Sequence, residues 1–596
     1  MTRAIKHWLV HPRLPIHLAV LAVLLALPSL WIGWQFDDHF HRLTMLGHEE
    51  VPAHPLEVFA SVRDDPDVLH RYVDTGLFPW WTPPDFRLAF FRYLSAASMW
   101  LDYLLWPNIP MLMHLHSLAW YAAMVGVATL LYRRLLGASW WAGLAALLYA
   151  VDEAHVGPAA WLANRNALLA AVFGFLSLWS FDRWRKNGSK RDAAWSPIFL
   201  GLALCSGEMA LATGGYLLAY VLFLDSGRWR GKLRALVPHL LVFATWAAVY
   251  RVFAFGTRGS DFYQDPLGRP VAFLGALFER VPVLLLGQWS PVPADWAIAF
   301  PEEAFPIFWL AGAVVIVLGA VFVWPLLRTN RMARFWALGM ALSLVPVSGV
   351  VPANRLLLFV GLGAMGLAVE FLRGIRDGSD WVPTGRLWRV PARVMVVLLA
   401  IAHLALAPLM SPLIAYSLKL FGDPMVAAMA SVPDDPAIAD QDLILVNPPD
   451  YLFLVSPIGT MKMLEDKPYP RRLRGLVAGM SAVEVTRLDD FSLAVRTPDG
   501  IFGGSLGRLF RSRRDPMHVG QQFDVTGMRV EITETDPDGN PLEFRHTFAV
   551  PLEDPSLRWL QWDRDQYVPF VLPPIGGSVA LPPSYGPLDV LKQPSR

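Results

Sequence analysis

The chain has 596 residues, enough for several soluble domains, yet 54% of them are hydrophobic and only 17% charged, where soluble domains carry about 25% charged residues. That balance excludes a wholly soluble protein, and a formal net charge of +1 gives no footing for a nucleic-acid partner. With a single cysteine, Cys205, no intramolecular disulfide can form, so packing has to stabilise the fold.

A bilayer core of about 30 Å takes about 20 apolar residues per helix. Runs of this kind lie near 15–35, 111–132, 139–155, 164–181, 196–207, 209–225, 235–255, 305–327, 335–351, 356–372 and 394–421. They predict an α-helical polytopic membrane protein of about eleven spans. The first run has no clear small-x-small cleavage site and reads as a signal anchor. Lys and Arg set the orientation. Arg3, Lys6 and Arg13 precede the first run, and every second connection is basic: Arg133 and Arg134; Arg183, Arg185, Lys186, Lys190 and Arg191; Arg228, Arg230, Lys232 and Arg234; Arg328, Arg331 and Arg334; Arg373, Arg376, Arg386, Arg389 and Arg393. This alternation predicts a cytoplasmic N-terminus and places the 36–110 loop and everything after about 422 on the outer side. Residues 272–288 are long enough to span but carry Glu279 and Arg280 in the middle, and read as an interfacial or re-entrant helix.

Beyond 430 the pattern changes. Short β-like runs at 442–446, 483–487, 491–496, 528–535 and 544–550 alternate with turn signals such as Pro537-Asp538-Gly539-Asn540. The expected organisation is a multi-span part over 1–421, with a first external loop at 36–110, and a soluble, antiparallel β-rich extracytoplasmic domain over 430–596.

Ionisable residues at span ends are informative, because a charge at membrane depth costs several kcal/mol unless paired or solvated. They are Asp37 and Asp38 after the first run, Arg92 before the second, Asp152, Glu153 and His155 at the end of the third, Arg165 opening the fourth, Glu208 between the fifth and sixth, and Arg355 opening the tenth. The topology gathers all of them at one membrane face. Carboxylates there suit removal of a proton from an attacking hydroxyl, and arginines suit a leaving phosphate. Asp37-Asp38 also fits a plain water boundary, and Arg355 a snorkelling one. His39, His41, His48, His54 and His70 match no compact metal-ligand spacing and read as part of a solvated loop; no metal site is expected, and a divalent-ion requirement stays open.

The stretch ALLYAVDEAHVGPAAWLANRNALLAAVFGFLSL (146–178) resembles a run in tetratricopeptide-repeat-linked O-mannosyltransferases and related bacterial membrane glycosyltransferases, with His155, Trp161, Arg165 and Leu168-Leu169 in matching places. FDDHF (36–40), the 90–118 segment, CSGEMAL (205–211) and the 344–367 segment are similar to four further motifs in the same order. The resemblance covers roughly residues 15–375. The chain departs from that pattern at Asp152, Gly157, Ala167 and Gly207, and it lacks the repeats. The resemblance implies a GT-C-like fold and transfer of a hexose or pentose from a polyprenyl-phosphate carrier to an extracytoplasmic glycan, lipid or protein. It implies Asp37 or Asp38 as catalytic base, contacts to phosphate or fold from Arg92, Arg165 and Arg355, and a bacterial inner membrane. A transporter or lipid flippase, and a catalytically inactive envelope scaffold, are the alternative readings.

Overall fold

A helix that crosses a bilayer has to satisfy its backbone internally. The computed structural model describes residues 2–51, 53–502 and 506–587, and eight of its helices are long and apolar enough to cross a membrane. Seven coincide with expected runs: Leu14–Trp31, Pro110–Leu136, Leu162–Asn187, Trp229–Val252, Glu302–Thr329, Leu358–Asp377 and Arg386–Ala430. The chain is a multi-pass membrane protein. The other four runs are helical but shorter, at Trp140–Ala150, Lys190–Leu204, Ala212–Phe223 and Arg331–Val347. Their shortness has a physical reason in the case of Trp140–Ala150, which is buried along almost its whole length: a helix surrounded by protein need not match the hydrocarbon thickness.

Leu358–Asp377 is the centre of the bundle. Glycines 361, 363 and 366 leave no room for a side chain, with His155, Tyr216 and Trp336 closed against them, the small-residue packing that apolar helices use where no hydrophobic drive exists. Three buried tyrosines fix the packing by donating to its backbone: Tyr132 to Leu362 O (2.6 Å), Tyr149 to Leu358 O (3.1 Å) and Tyr216 to Phe359 O (2.6 Å). Trp229–Val252 and Glu302–Thr329, by contrast, are mostly unburied by protein, which assigns them to the lipid-facing periphery.

The basic connections collect on one face and pair there. Arg134 and Lys186 both reach Asp182 (2.5 and 2.8 Å), and Arg185 reaches Asp225 (2.8 Å). The opposite face carries the 36–110 loop and the C-terminal strands. The Pro270–Trp289 helix belongs to that opposite face. Its start lies near Gly349, Arg280 donates to Asp261 O and Ser348 O, and Gln288 at its end donates to Asp152. It packs extensively against Glu302–Thr329, where Trp309 donates to Phe278 O and Gly312 lies on the Pro282 backbone. It is one of the eight helices long and apolar enough to cross a membrane, and it touches both the loops of that face and neighbouring helices.

The last membrane helix, Arg386–Ala430, has 45 residues and at 1.5 Å per residue runs about 68 Å, well beyond a bilayer core. It contains a π-helical turn at Ala402–Leu406 and continues past the expected end at 421. Its last turns, with Met425, Ala428 and Met429, enter a second hydrophobic core.

That core belongs to two sheets. The larger is antiparallel as expected, in the order 578–581, 483–487, 492–496, 541–548, 528–535, 522–525. The smaller differs: 442–445 lies parallel to both 472–475 and 557–563, and only 566–569 adds antiparallel. Parallel neighbours need a crossover, and here the helices Tyr451–Leu454 and Ser456–Leu464 supply it. The last residues of the expected 430–596 domain, from 588, lie outside the described residues.

The 36–110 loop packs as part of this domain. Val62, Leu69, Tyr72, Phe78, Trp80, Trp81 and Phe86 lie in the same core as the C-terminal strands. Trp80 Nε1 donates to Gly475 O (3.1 Å) and Tyr451 OH to Gly76 O (2.8 Å). Gly76 closes the Pro66–Thr75 helix at φ +86° with its Cα facing Leu473 O; both the left-handed turn and the close approach require glycine there. A three-stranded sheet of 60–62, 87–89 and 256–258 ties the loop back to the bundle.

Candidate active site

Where bundle, loop and C-terminal domain meet, the chain encloses a cavity of about 320 Å³. Its polar lining includes Asp37, Arg92, Asn164, Asn166, Tyr263 and Arg355, and its apolar lining comes largely from aromatic and leucine side chains. The roof is the C-terminal domain, through Leu452, Phe453, Ser456, Thr460, Leu509 and Phe510.

The structure separates the two aspartates. The first membrane helix ends at Trp31, and the chain reverses through Phe36, at φ +54°, into the Asp38–Leu46 helix, with Asp37 at its N-cap. Asp37 is exposed and faces the cavity. Asp38 is 2% exposed and accepts from Gln35 N (3.0 Å) and Ala163 N (2.9 Å). It thereby fastens the first loop to the first turn of Leu162–Asn187. Burial, and then the neighbouring Asp37 charge, push its pKa well above the carboxylate range, against the two backbone donors.

Arg92 and Glu208, 116 positions apart, form an ion pair at 2.8 Å. The Arg92 guanidinium also lies over Phe90, 4.3 Å from the ring centroid, and Tyr250 donates to Glu208 (3.4 Å). Arg355 stacks over Trp161 at 4.9 Å, and no ion pair to it is found among the described residues. Tyr263 reports the convergence of these groups. Burial raises its pKa, Arg355 and Arg92 lower it, and Asp37 and Glu208 raise it, so one phenol lies in the field of all four charges.

The other expected residues are elsewhere. Arg165 is 1% exposed, paired with Asp102 at 2.5 Å, and donates to Ser117 Oγ (2.9 Å) and Met113 O (2.8 Å). Its donors are consumed by protein, and it does not reach the cavity. Asp152 caps the Glu153–His155 turn, accepting from Ala154 N (3.1 Å) and Gln288 Nε2 (3.0 Å). His155 bonds Tyr149 O through Nδ1 (2.9 Å). Glu153, buried beside Asp152, has its pKa pushed up to about 8 by burial first and Asp152 second. These three form a separate cluster among the helices. His39 and His41, expected in a solvated loop, are buried in the cavity wall. Burial lowers both, His39 to about 4, so they are neutral imidazoles at neutral pH. Of the remaining loop histidines, His54 and His70 are exposed. Among the described residues no group of three or more His, Cys, Asp or Glu side chains is placed to hold a metal ion.

Sequence reasoning missed Tyr263, Asn166 and the whole roof. Tyr263 stands in a loop with no periodicity, and most of the roof lies on the Tyr451–Leu454 and Ser456–Leu464 helices, in a stretch between strands to which the sequence assigned no element.

No protein-family model matches the chain, and no curated protein matches it. Among solved structures, it is similar to the oligosaccharyltransferase of Archaeoglobus fulgidus in its apo form, at 11% identity and a TM-score of 0.40, over 79% of this chain and 64% of that one. It is likewise similar to the same archaeal protein complexed with zinc and sulfate, at 12% identity and 0.39, over 77% and 62%. The chain thus spans less than two thirds of the length of these structures. At such identity and score the likeness carries no argument about activity.

Proposed function

We propose that the chain is a membrane glycosyltransferase that moves a sugar from a polyprenyl-phosphate carrier to a glycan, lipid or protein acceptor outside the cytoplasm. The observation that carries this reading is the shared cavity, in which an exposed carboxylate, Asp37, stands with an ion-paired arginine, Arg92, and a stacked one, Arg355. Asp37 accepts the proton of the attacking acceptor group as its bond to the anomeric carbon forms. The bond from that carbon to the carrier phosphate breaks, and the phosphate leaves with the pair of electrons. Arg355 and Arg92 neutralise the charge that develops on it. Asp38 holds the fold and takes no proton from the acceptor.

The gathering of the basic connections on one face supports a cytoplasmic N-terminus, with the cavity and the C-terminal domain on the other side, in a bacterial inner membrane. The test is release of carrier phosphate from a panel of labelled polyprenyl-phosphate sugars by the full chain in lipid, with acceptor extract supplied. Wild-type release that falls at least about 100-fold in Asp37→Asn, the lower end for a general base, is the expected result. Asp38→Asn loses folded yield, and its folded fraction keeps activity. No release from any donor by folded wild type would overturn the reading.

A further inference from the structure

Phe36 is the residue before Asp37, and it takes φ +54°, a left-handed conformation that bulky side chains rarely adopt. Such a conformation persists only where its surroundings over-determine it. Two rings do so here. Phe453 of the C-terminal domain meets the Phe36 ring edge-on at 5.2 Å, and Trp161 of the bundle meets it edge-on at 5.8 Å. Trp161 in turn carries the Arg355 guanidinium. One aromatic row, Phe453–Phe36–Trp161, therefore runs from the roof past Asp37 to the arginine left without an ion pair among the described residues.

Phe453 is a firm end for that row. Its backbone N donates to Asp450 at 2.7 Å, Tyr451 OH donates to Gly76 O at 2.8 Å, and Ser456 donates to Leu77 O at 2.6 Å. The helix that follows, Ser456–Leu464, packs against the Asp38–Leu46 helix. The roof is thus anchored to the loop on both sides of the aromatic contact.

We infer that Phe453 is a positioning residue for Asp37: through the Phe36 ring, the C-terminal domain holds the left-handed turn that presents the Asp37 carboxylate to the cavity beside Arg355. This role rests on the transferase reading above, but its geometry can be tested without turnover. An edge-to-face pair of this kind sets a loss of roughly 2- to 12-fold.

In the full chain in lipid, Phe453→Ala lowers kcat for carrier-phosphate release about 10-fold, near the upper end of that range, with donor KM changed less than about 2-fold. Phe453→Tyr, which keeps the ring, restores it. In a Phe36→Ala background the same Phe453→Ala change has less than about a 2-fold further effect, because the route is already cut. Should Phe453→Ala fail to fold, Phe453→Leu keeps the volume without the ring edge and replaces it. The turnover-free arm uses Asp37→Cys in a Cys205→Ala chain, labelled with a small polar maleimide. Adding Phe453→Ala changes the labelling rate at least about 3-fold if the roof sets the presentation of position 37. An unchanged labelling rate overturns the positioning role whether or not the wild type turns over. Wild type without turnover but with a shifted labelling rate overturns the transferase reading and upholds the positioning.

Discussion

Replacing Trp80 with alanine tests whether the first loop and the C-terminal domain are one folded unit. Trp80 comes from the loop and is 4% exposed. It lies against Phe523, Phe544 and His546 of the domain, with ring centroids 5.2, 5.7 and 6.0 Å away. Burying an indole of about 200 Å² at about 25 cal/mol/Å² is worth about 5 kcal/mol, and Trp→Ala changes in cores cost about 3–5 kcal/mol. The change also removes the donor to Gly475 O, which adds about 1 kcal/mol. A loss of about 4–6 kcal/mol is a large part of the stability of any single unit. Hydrogen exchange in lipid, followed by mass spectrometry, reads the result segment by segment. The expected outcome is that Trp80→Ala speeds exchange in 522–548 and 472–475 as much as in 66–86, while Leu358–Asp377 is unchanged. Fast exchange confined to 66–86, with the strands still protected, would refute the shared core.

Arg165→Ala leaves the buried Asp102 with His116, at 2.6 Å, as its remaining side-chain partner, at a cost of up to about 3–5 kcal/mol, and is expected to lower the thermal midpoint in lipid. A variant with a wild-type midpoint but weakened donor binding would return Arg165 to the substrate. Glu153 has a folded pKa of about 8 against about 4.3 in the unfolded chain. The folded state binds the extra proton between these values, so Glu153 lowers stability progressively as pH rises from about 4 to about 8. Glu153→Gln is expected to gain on wild type across that window and to hold a constant advantage above it. Thermal midpoints at pH 5, 6.5, 8 and 9 check this, and a constant difference throughout would show that Glu153 does not titrate there.

Much of the membrane part was legible in the sequence, because apolar length and the basic alternation are local signals. Two of the helix edges that differ do so where protein replaces lipid as the neighbour. Trp140–Ala150 is short because the bundle surrounds it, and Arg386–Ala430 is long because its end is buried in a second core rather than in water. At the site, Asp37, Arg92, Glu208 and Arg355 were readable as charges at span ends that one face would gather. Arg165 carried the same signal and went to a buried pair, since its partner Asp102 lies 63 positions away and its spacing gives no hint of pairing. The separation of Asp37 from Asp38 depends on the turn at Phe36, and the roof depends on a parallel crossover. The first is set by contacts as distant in sequence as Phe36 to Phe453, and the second by the pairing of 442–445 with 472–475 and 557–560.

Those separations also fix an order of events during synthesis. The bond from Trp80 to Gly475 joins residues 395 positions apart, and at about 5–20 residues per second the ribosome needs about 20 to 80 s to bridge them. For that interval Phe78, Trp80, Trp81 and Phe86 have been made and their partner strands have not. The nascent chain therefore carries an exposed, Trp-rich segment on one side of the membrane until the last helix is threaded, and the enclosure around Asp37 is completed by the final quarter of the polypeptide.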